Sequence, residues 1–306
     1  MSRRSARAPR GGAADGAARA PGRGRARTFA ALVVVALGLA LVSYPFVGDW
    51  LNRRAHNAAV SAQGGAVASA SPDALAAQRE AAVSYNERLL QGSVRVTDPF
   101  DQAGLPPGNA EYDSVLDVAG DSVMAELLIP SINVDLPVSH YTSDESLTKG
   151  AGHLANTSVP IGGPSTHSVL AAHTGLPTAR MFDRLDELRP GDWFVIRVLG
   201  EDHFYGVTAT EVVEPDEVSS LAVQQGHDLV TLVTCTPYGV NSHRLLVHAE
   251  RTGAPDQWGS GARAPSGPAV ADVRPGMWGA AAAGAACAVA LVGAAAGARA
   301  FACRRR

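Results

Sequence analysis

Residues Thr231 to Arg244 read TLVTCTPYGVNSHR. The stretch closes an apolar, β-branched run, LVTLVTC, crosses a turn built on Pro237 and Gly239, and opens a second run, SHRLLVHAE. Runs of this composition separated by turn residues are strands of a hairpin. In an antiparallel hairpin the end of one strand lies beside the start of the next. The nine-residue separation can therefore set Cys235 against Arg244. A guanidinium beside a thiol favours the thiolate and can hold the oxyanion that forms when sulfur attacks a carbonyl. A thiol that only packs, next to a solvated arginine, fits the same spacing.

The pattern extends outward from this hairpin. From about Met124 to Arg251, short segments rich in Val, Ile, Leu, Thr and aromatics alternate with turns: AELLIP, VDLPV, SVLAAH, WFVIRVL and HFYGVTATEVVE precede the two runs above. Seven or eight strands in that length, with one helix expected over Ala179–Leu188, give an all-β domain, either a closed barrel or a sandwich. Upstream, Ser71-Pro72-Asp73 is a helix start, with Ser as N-cap and Pro in the first turn. The helix places Leu75, Val83, Leu89 and Leu90 near one side and stops at Gly92. Val94–Asn109 has three prolines and no periodicity.

The 306 residues are 46% hydrophobic and 18% charged with a formal net charge of -3, so nothing points to nucleic acid. The charge is unevenly placed. Eight arginines lie between Arg3 and Arg27 against one acid, Asp15, and the chain ends Arg304-Arg305-Arg306. Each basic end flanks an apolar stretch. Thr28–Gly48 is uncharged and long enough to cross a bilayer, which takes roughly 20 residues; a retained anchor is expected, with a cleaved signal peptide as the alternative. Basic flanks stay on the cytoplasmic side, so Asp49 onward is expected outside the cell. Gly276–Ala298, rich in Ala and Gly, is expected to be a second span, with a peripheral tail as the alternative. Of the three cysteines, Cys287 and Cys303 belong to that end, which leaves Cys235 alone in the exported region. A lone thiol there has no disulfide partner and is a candidate reactive group.

A cysteine nucleophile needs an acid to protonate the leaving amine. Of nine histidines, His173 leads because it ends the apolar strand Ser168–Ala172 and opens a Gly-Leu-Pro turn. Catalytic groups often sit where a rigid sheet meets a loop. His153, His167, His243 and His248 are other positions in the same domain. No HExxH, CxxC, P-loop or GxSxG pattern occurs, so neither a cofactor nor a metal is expected.

TLVTC with Arg244 in the next strand, and SVLAAHTGLP around His173, resemble the signature segments of sortases. The similarity extends through GHLANTSVPIGGPSTHSVLAAH, MFDRLDELRPGDWFVI, VVEPDE and LVTLVTCTPYGVNSHRLLV, and is nearest to class C, the pilin-polymerising sortases. The resemblance implies an eight-stranded antiparallel β-barrel with short helices, an N-terminal helical extension and two transmembrane helices. It implies a cysteine transpeptidase acting on LPxTG-like signals of pilin subunits, with a lysine as acceptor. Cys235 would be the nucleophile, His173 the acid/base and Arg244 the oxyanion and substrate partner. Thr174 stands where many relatives have arginine. Asp98-Pro99-Phe100 resembles the lid motif of class C: Asp98 would pair with Arg244, Phe100 would cover the sulfur, and Pro99 would stiffen the loop. The organisation expected is a basic cytoplasmic tail over 1–27, a transmembrane helix over 28–48, an extracellular linker and helix over 49–92, and a lid over 93–112. The barrel over 113–252, a linker over 253–275, a second span over 276–298 and a basic tail over 299–306 complete it. A housekeeping sortase acting on peptidoglycan and a non-catalytic pilus-associated binding module are the alternatives. Either sortase would work at the membrane of a Gram-positive-type envelope.

Overall fold

The computed structural model describes residues 22–92, 96–106, 108–256 and 258. Eight strands, β1 (Val123–Ile129), β2 (Val134–His140), β3 (Ala151–His153), β4 (Thr166–Ala171), β5 (Trp193–Val198), β6 (Glu201–Val213), β7 (Asp228–Thr236) and β8 (His243–Thr252), close into a barrel. Their order around it is β1-β2-β3-β4-β7-β8-β6-β5. The barrel is not wholly antiparallel. β2 pairs with β3, and β4 with β7, in parallel. Parallel neighbours need a crossover. The helix α4 (Asp144–Lys149) supplies the first, and the β5–β6 hairpin occupies the second.

Side-chain parity sorts the strands into two faces. Leu170 and Ala172, Leu232, Leu245 and Val247 belong to the large cluster that fills the barrel. Val169 and Ala171, Val233 and Leu246 belong to a second cluster on the opposite face, joined by Leu147, Leu221, Val96 and Phe100. This alternation is the period-two consequence of the pleat. It means that a segment before the barrel, Val96 to Phe100, covers one outer wall.

Three helices precede β1: α1 (Gly22–Ser69), α2 (Pro72–Gln91) and α3 (Ala110–Ser114). One described stretch, Ala31–Ser69 within α1, is long and apolar enough to cross a membrane. The sequence suggested a polar linker after Gly48, but α1 continues unbroken to Ser69. Asp49, His56 and Gln63, seven residues apart and hence on one helix face, are buried. The Ala-rich composition sustains the helix, and this polar stripe docks it. α2 begins as expected, the Ser71 hydroxyl accepting from Ala74 N–H, and ends at Gly92. Its inner face differs from expectation. Ala82, Tyr85 and Asn86 are buried, with Leu75 and Leu89 packed on the core, while Val83 and Leu90 are exposed. Asn86 bonds Val159 through both its amide groups, at 3.2 and 2.8 Å, which fixes that rotation.

The helix expected over Ala179–Leu188 reduces to a 3-10 turn at Leu185–Glu187. Met181, Phe182, Leu185 and Leu188 are buried at spacings that mimic a helix. The Asp183 carboxylate instead accepts from the Gly175 and Met181 N–H groups, which holds the backbone in a loop. The second apolar stretch, 276–298, lies outside the described residues, as do Cys287 and Cys303.

Candidate active site

Three strand ends meet at one rim of the barrel. In the β7–β8 ladder Cys235 pairs directly with Arg244, and Val233 with Leu246. In the parallel β4–β7 ladder Ala171 pairs with Val233. The Ala172 N–H donates to Val233 O at 3.2 Å, and the Thr234 hydroxyl donates to Ala172 O at 2.8 Å. Continuing that register by two residues sets His173 level with Cys235. The parity of the pleat turns all three positions, His173, Cys235 and Arg244, to the outer face that carries Val169, Ala171, Val233 and Leu246.

The Asp98–Phe100 segment lies over this rim. The Asp98 carboxylate takes two parallel bonds from Arg244, Nε to Oδ1 at 2.8 Å and Nη2 to Oδ2 at 2.6 Å. Both side chains are nearly buried, at 11% and 12% exposure, so the fork–fork pair is shielded. Arg244 Nη1 donates to the carbonyls of Asn241 and His243 at 3.2 and 3.1 Å, which fixes the guanidinium from behind. The Phe100 ring lies 5.7 Å from the His173 ring, centre to centre, and 5.2 Å from the Arg244 guanidinium carbon. The aromatic thus bridges imidazole and guanidinium.

A second fastening, without any signal in the sequence, holds the chain just beyond this segment. The Gln102 amide donates to Thr142 O and accepts from Asp144 N–H, both at 3.0 Å. Further on, Asn109 N–H donates to the Tyr141 hydroxyl at 3.0 Å. No pattern in a single sequence links residues 32 to 42 apart through such bonds.

Arg244 favours the thiolate, as expected, but burial outweighs it. Burial pushes the Cys235 thiol above its usual range. Arg244 pulls it down, and Asp98 pushes it up again. Burial lowers the His173 imidazole, and Asp144 offsets part of this. In this latched arrangement thiol and imidazole are both held neutral, because burial disfavours the charged form of each and the carboxylate of Asp98 opposes the pull of Arg244 on the thiol.

The other histidines are engaged elsewhere. His153 is fully buried, is held down to about 3 by desolvation, and meets the Tyr112 hydroxyl at 2.6 Å. His167 and His248 share the Thr231 hydroxyl, at 2.7 and 2.8 Å. His243 pairs with Thr236 in the ladder, and its ring is 3.2 Å from Glu214. Among the described residues no cluster of His, Cys, Asp and Glu could hold a metal ion.

Comparison with known proteins identifies the domain and the fold. Residues 127–252 match the sortase domain. The fold superimposes on sortase C1 of GBS pilus island 1 with a TM-score of 0.60 at 38% identity, covering 66% of this chain and 94% of that one. Sortase C-1 from Actinomyces oris is 49% identical, with a TM-score of 0.56 and coverage of 60% and 100%. Sortase C-1 from Streptococcus pneumoniae is 40% identical, with a TM-score of 0.60 and coverage of 64% and 98%. Among curated proteins, sortase D of Bacillus subtilis is 28% identical over 128 residues, 41% of this chain and 62% of that protein. Sortase A of Bacillus anthracis is 28% identical over 131 residues, 43% and 60%. The chain thus spans a little over 60% of the length of these curated relatives. A barrel of this strand order, matched across nearly the whole of solved class C structures, places the chain in the sortase family of cysteine transpeptidases.

Proposed function

We propose that this protein polymerises pilin subunits, with Cys235, His173 and Arg244 as its reacting groups and Asp98-Pro99-Phe100 as a lid. One observation carries the reading: the registers of β4, β7 and β8 bring those three residues to one rim, under a segment that occupies Arg244. Once the lid swings away, the Cys235 thiol passes its proton to the His173 imidazole, and the thiolate attacks the Thr–Gly carbonyl of an LPxTG-like signal. Arg244, freed from Asp98, stabilises the oxyanion. His173 protonates the departing Gly amine, and the C–N bond breaks to leave a thioester on sulfur. A lysine amine of the next subunit adds to the thioester and loses its proton to the His173 imidazole. Sulfur then leaves as the thiolate, and an isopeptide bond remains. The lid must open before either step, so opening can gate turnover.

The membrane belongs to the same reading. The apolar part of α1 anchors the barrel at the outer face of the membrane of a Gram-positive-type envelope, where anchored pilins emerge.

Incubating the full chain with a candidate pilin gives the test. The wild type should yield a ladder of isopeptide-linked oligomers on denaturing gels, and Cys235→Ala should yield none while keeping its circular dichroism spectrum. Oligomers formed by Cys235→Ala would reject the assignment. Resolution of the thioester by a cell-wall amine in preference to pilin lysine would favour peptidoglycan attachment.

A further inference from the structure

We infer that α1, besides any anchoring, positions His173, and that Asn52 and Asp49 are the residues through which it does so. The inference rests on the reading of His173 as the acid/base. The loop after His173 leaves β4 and returns to it: the Phe182 N–H donates to His173 O at 3.0 Å, and the Gly175 N–H donates to Asp183 Oδ1 at 2.9 Å. These bonds close its base. Its outer limb is held by α1. Asn52 Nδ2 donates to Thr178 O at 2.7 Å, and Asp49 Oδ1 accepts from Arg180 N–H at 3.2 Å. Gly48 packs so closely that a Cβ there would stand 2.8 Å from Thr178 Cβ and Cγ2.

The chemistry of the grip is specific. A carbonyl of the loop meets a donor, and an N–H of the loop meets an acceptor. The two side chains lie three residues apart, on one helix face. Asp49 is 7% exposed, and its second oxygen takes Arg53 Nε at 2.9 Å, so the acceptor is itself oriented. A helix face that needed only to pack would be apolar here. Directional bonds to the backbone instead fix where the loop sits, and the loop begins at the residue whose ring must reach the leaving amine. Asn52 lies four residues past Gly48, the end of the apolar stretch. One helix therefore carries both the anchor and the tether.

The test uses the full chain in detergent micelles, cleaving an LPxTG peptide. Asn52→Ala should lower kcat about tenfold with KM within about twofold, an order below the roughly hundredfold cost of a 1 Å misplacement. Looser packing should also relieve the burial of His173 and move its limb of the pH–rate profile upward. Asn52→Asp should lose at least as much, since a carboxylate cannot donate to Thr178 O. Asp49→Ala removes the acceptor for Arg180 N–H and should likewise lower kcat with KM little changed. Alkylation of Cys235 by iodoacetamide should stay unchanged in all three. Wild-type kcat and an unshifted limb in both Asn52 variants would overturn the tether, as would losses matched by slower alkylation and a lower Tm. Cleavage that survives Cys235→Ala would instead remove the site reading on which the tether depends.

Discussion

Arg244 is the residue on which the site turns, because it has two claimants. In the latched arrangement Asp98 takes Nε and Nη2, and the thiol beside it is pushed up by burial and by the same carboxylate. Asp98→Ala removes one of the influences that raise the thiol and leaves Arg244 unneutralised, so the Cys235 pKa falls. A lower pKa means a larger thiolate fraction at neutral pH. Iodoacetamide should therefore alkylate Asp98→Ala faster than wild type at pH 7, by roughly tenfold for each unit of displacement, with the alkaline limb at lower pH. An unchanged rate and limb would show that Asp98 neither shields nor tunes the sulfur. At this scale the sequence was informative where contacts are local. The Cys235–Arg244 pairing follows from a hairpin whose turn residues are visible. Asn52, Asp49 and Gln102 gave no signal, because their partners lie 126, 131 and about 40 residues away and are ordinary backbone groups.

Among the elements, the strands were legible because β-branched runs between turns have few other interpretations. Their directions were not. Period-two patterning says which residues share a face, and nothing about whether neighbours run parallel. Only the closed order of the barrel makes β2–β3 and β4–β7 parallel. The Ala179–Leu188 segment misled for the converse reason: its buried positions are helically spaced, but Asp183 spends the N–H groups of Gly175 and Met181. The β1–β2–β5 wall adds a pH dependence. Glu126 on β1 pairs with Arg197 on β5, Nη1 to Oε2 at 2.9 Å. Burial and the neighbouring Asp135 nevertheless raise its carboxyl to about 7, with Arg197 offsetting only part. A carboxyl raised on folding contributes stability that is complete below its unfolded pKa, near 4.5, and lost as pH rises through 7. Glu126→Gln should therefore unfold at a temperature similar to wild type at pH 5 and at a higher one at pH 8. Thermal unfolding at the two pH values checks this; a Tm difference that does not grow with pH would contradict it.

For the whole molecule, a β-barrel presents three groups at its rim, a segment before the barrel covers them, and α1 holds the loop that begins at one of them. The barrel alone would be a generic scaffold. In the proposed mechanism its specific chemistry comes from a thiol, an imidazole and a guanidinium that share one outer face, with the guanidinium held by Asp98. The composition near the N-terminus foretold a helix long and apolar enough to cross a membrane, whereas the hold of α1 on the loop after His173 came only from the fold. The most direct measurement is the intact mass of the full chain after brief incubation with an LPxTG peptide and no amine acceptor, followed by peptide mapping. A hydroxylamine-sensitive acyl adduct should form on Cys235 alone and be released as an amide when a lysine-bearing pilin is added. Peptide cleaved with no adduct at Cys235, or with an adduct at another residue, would contradict the proposed mechanism.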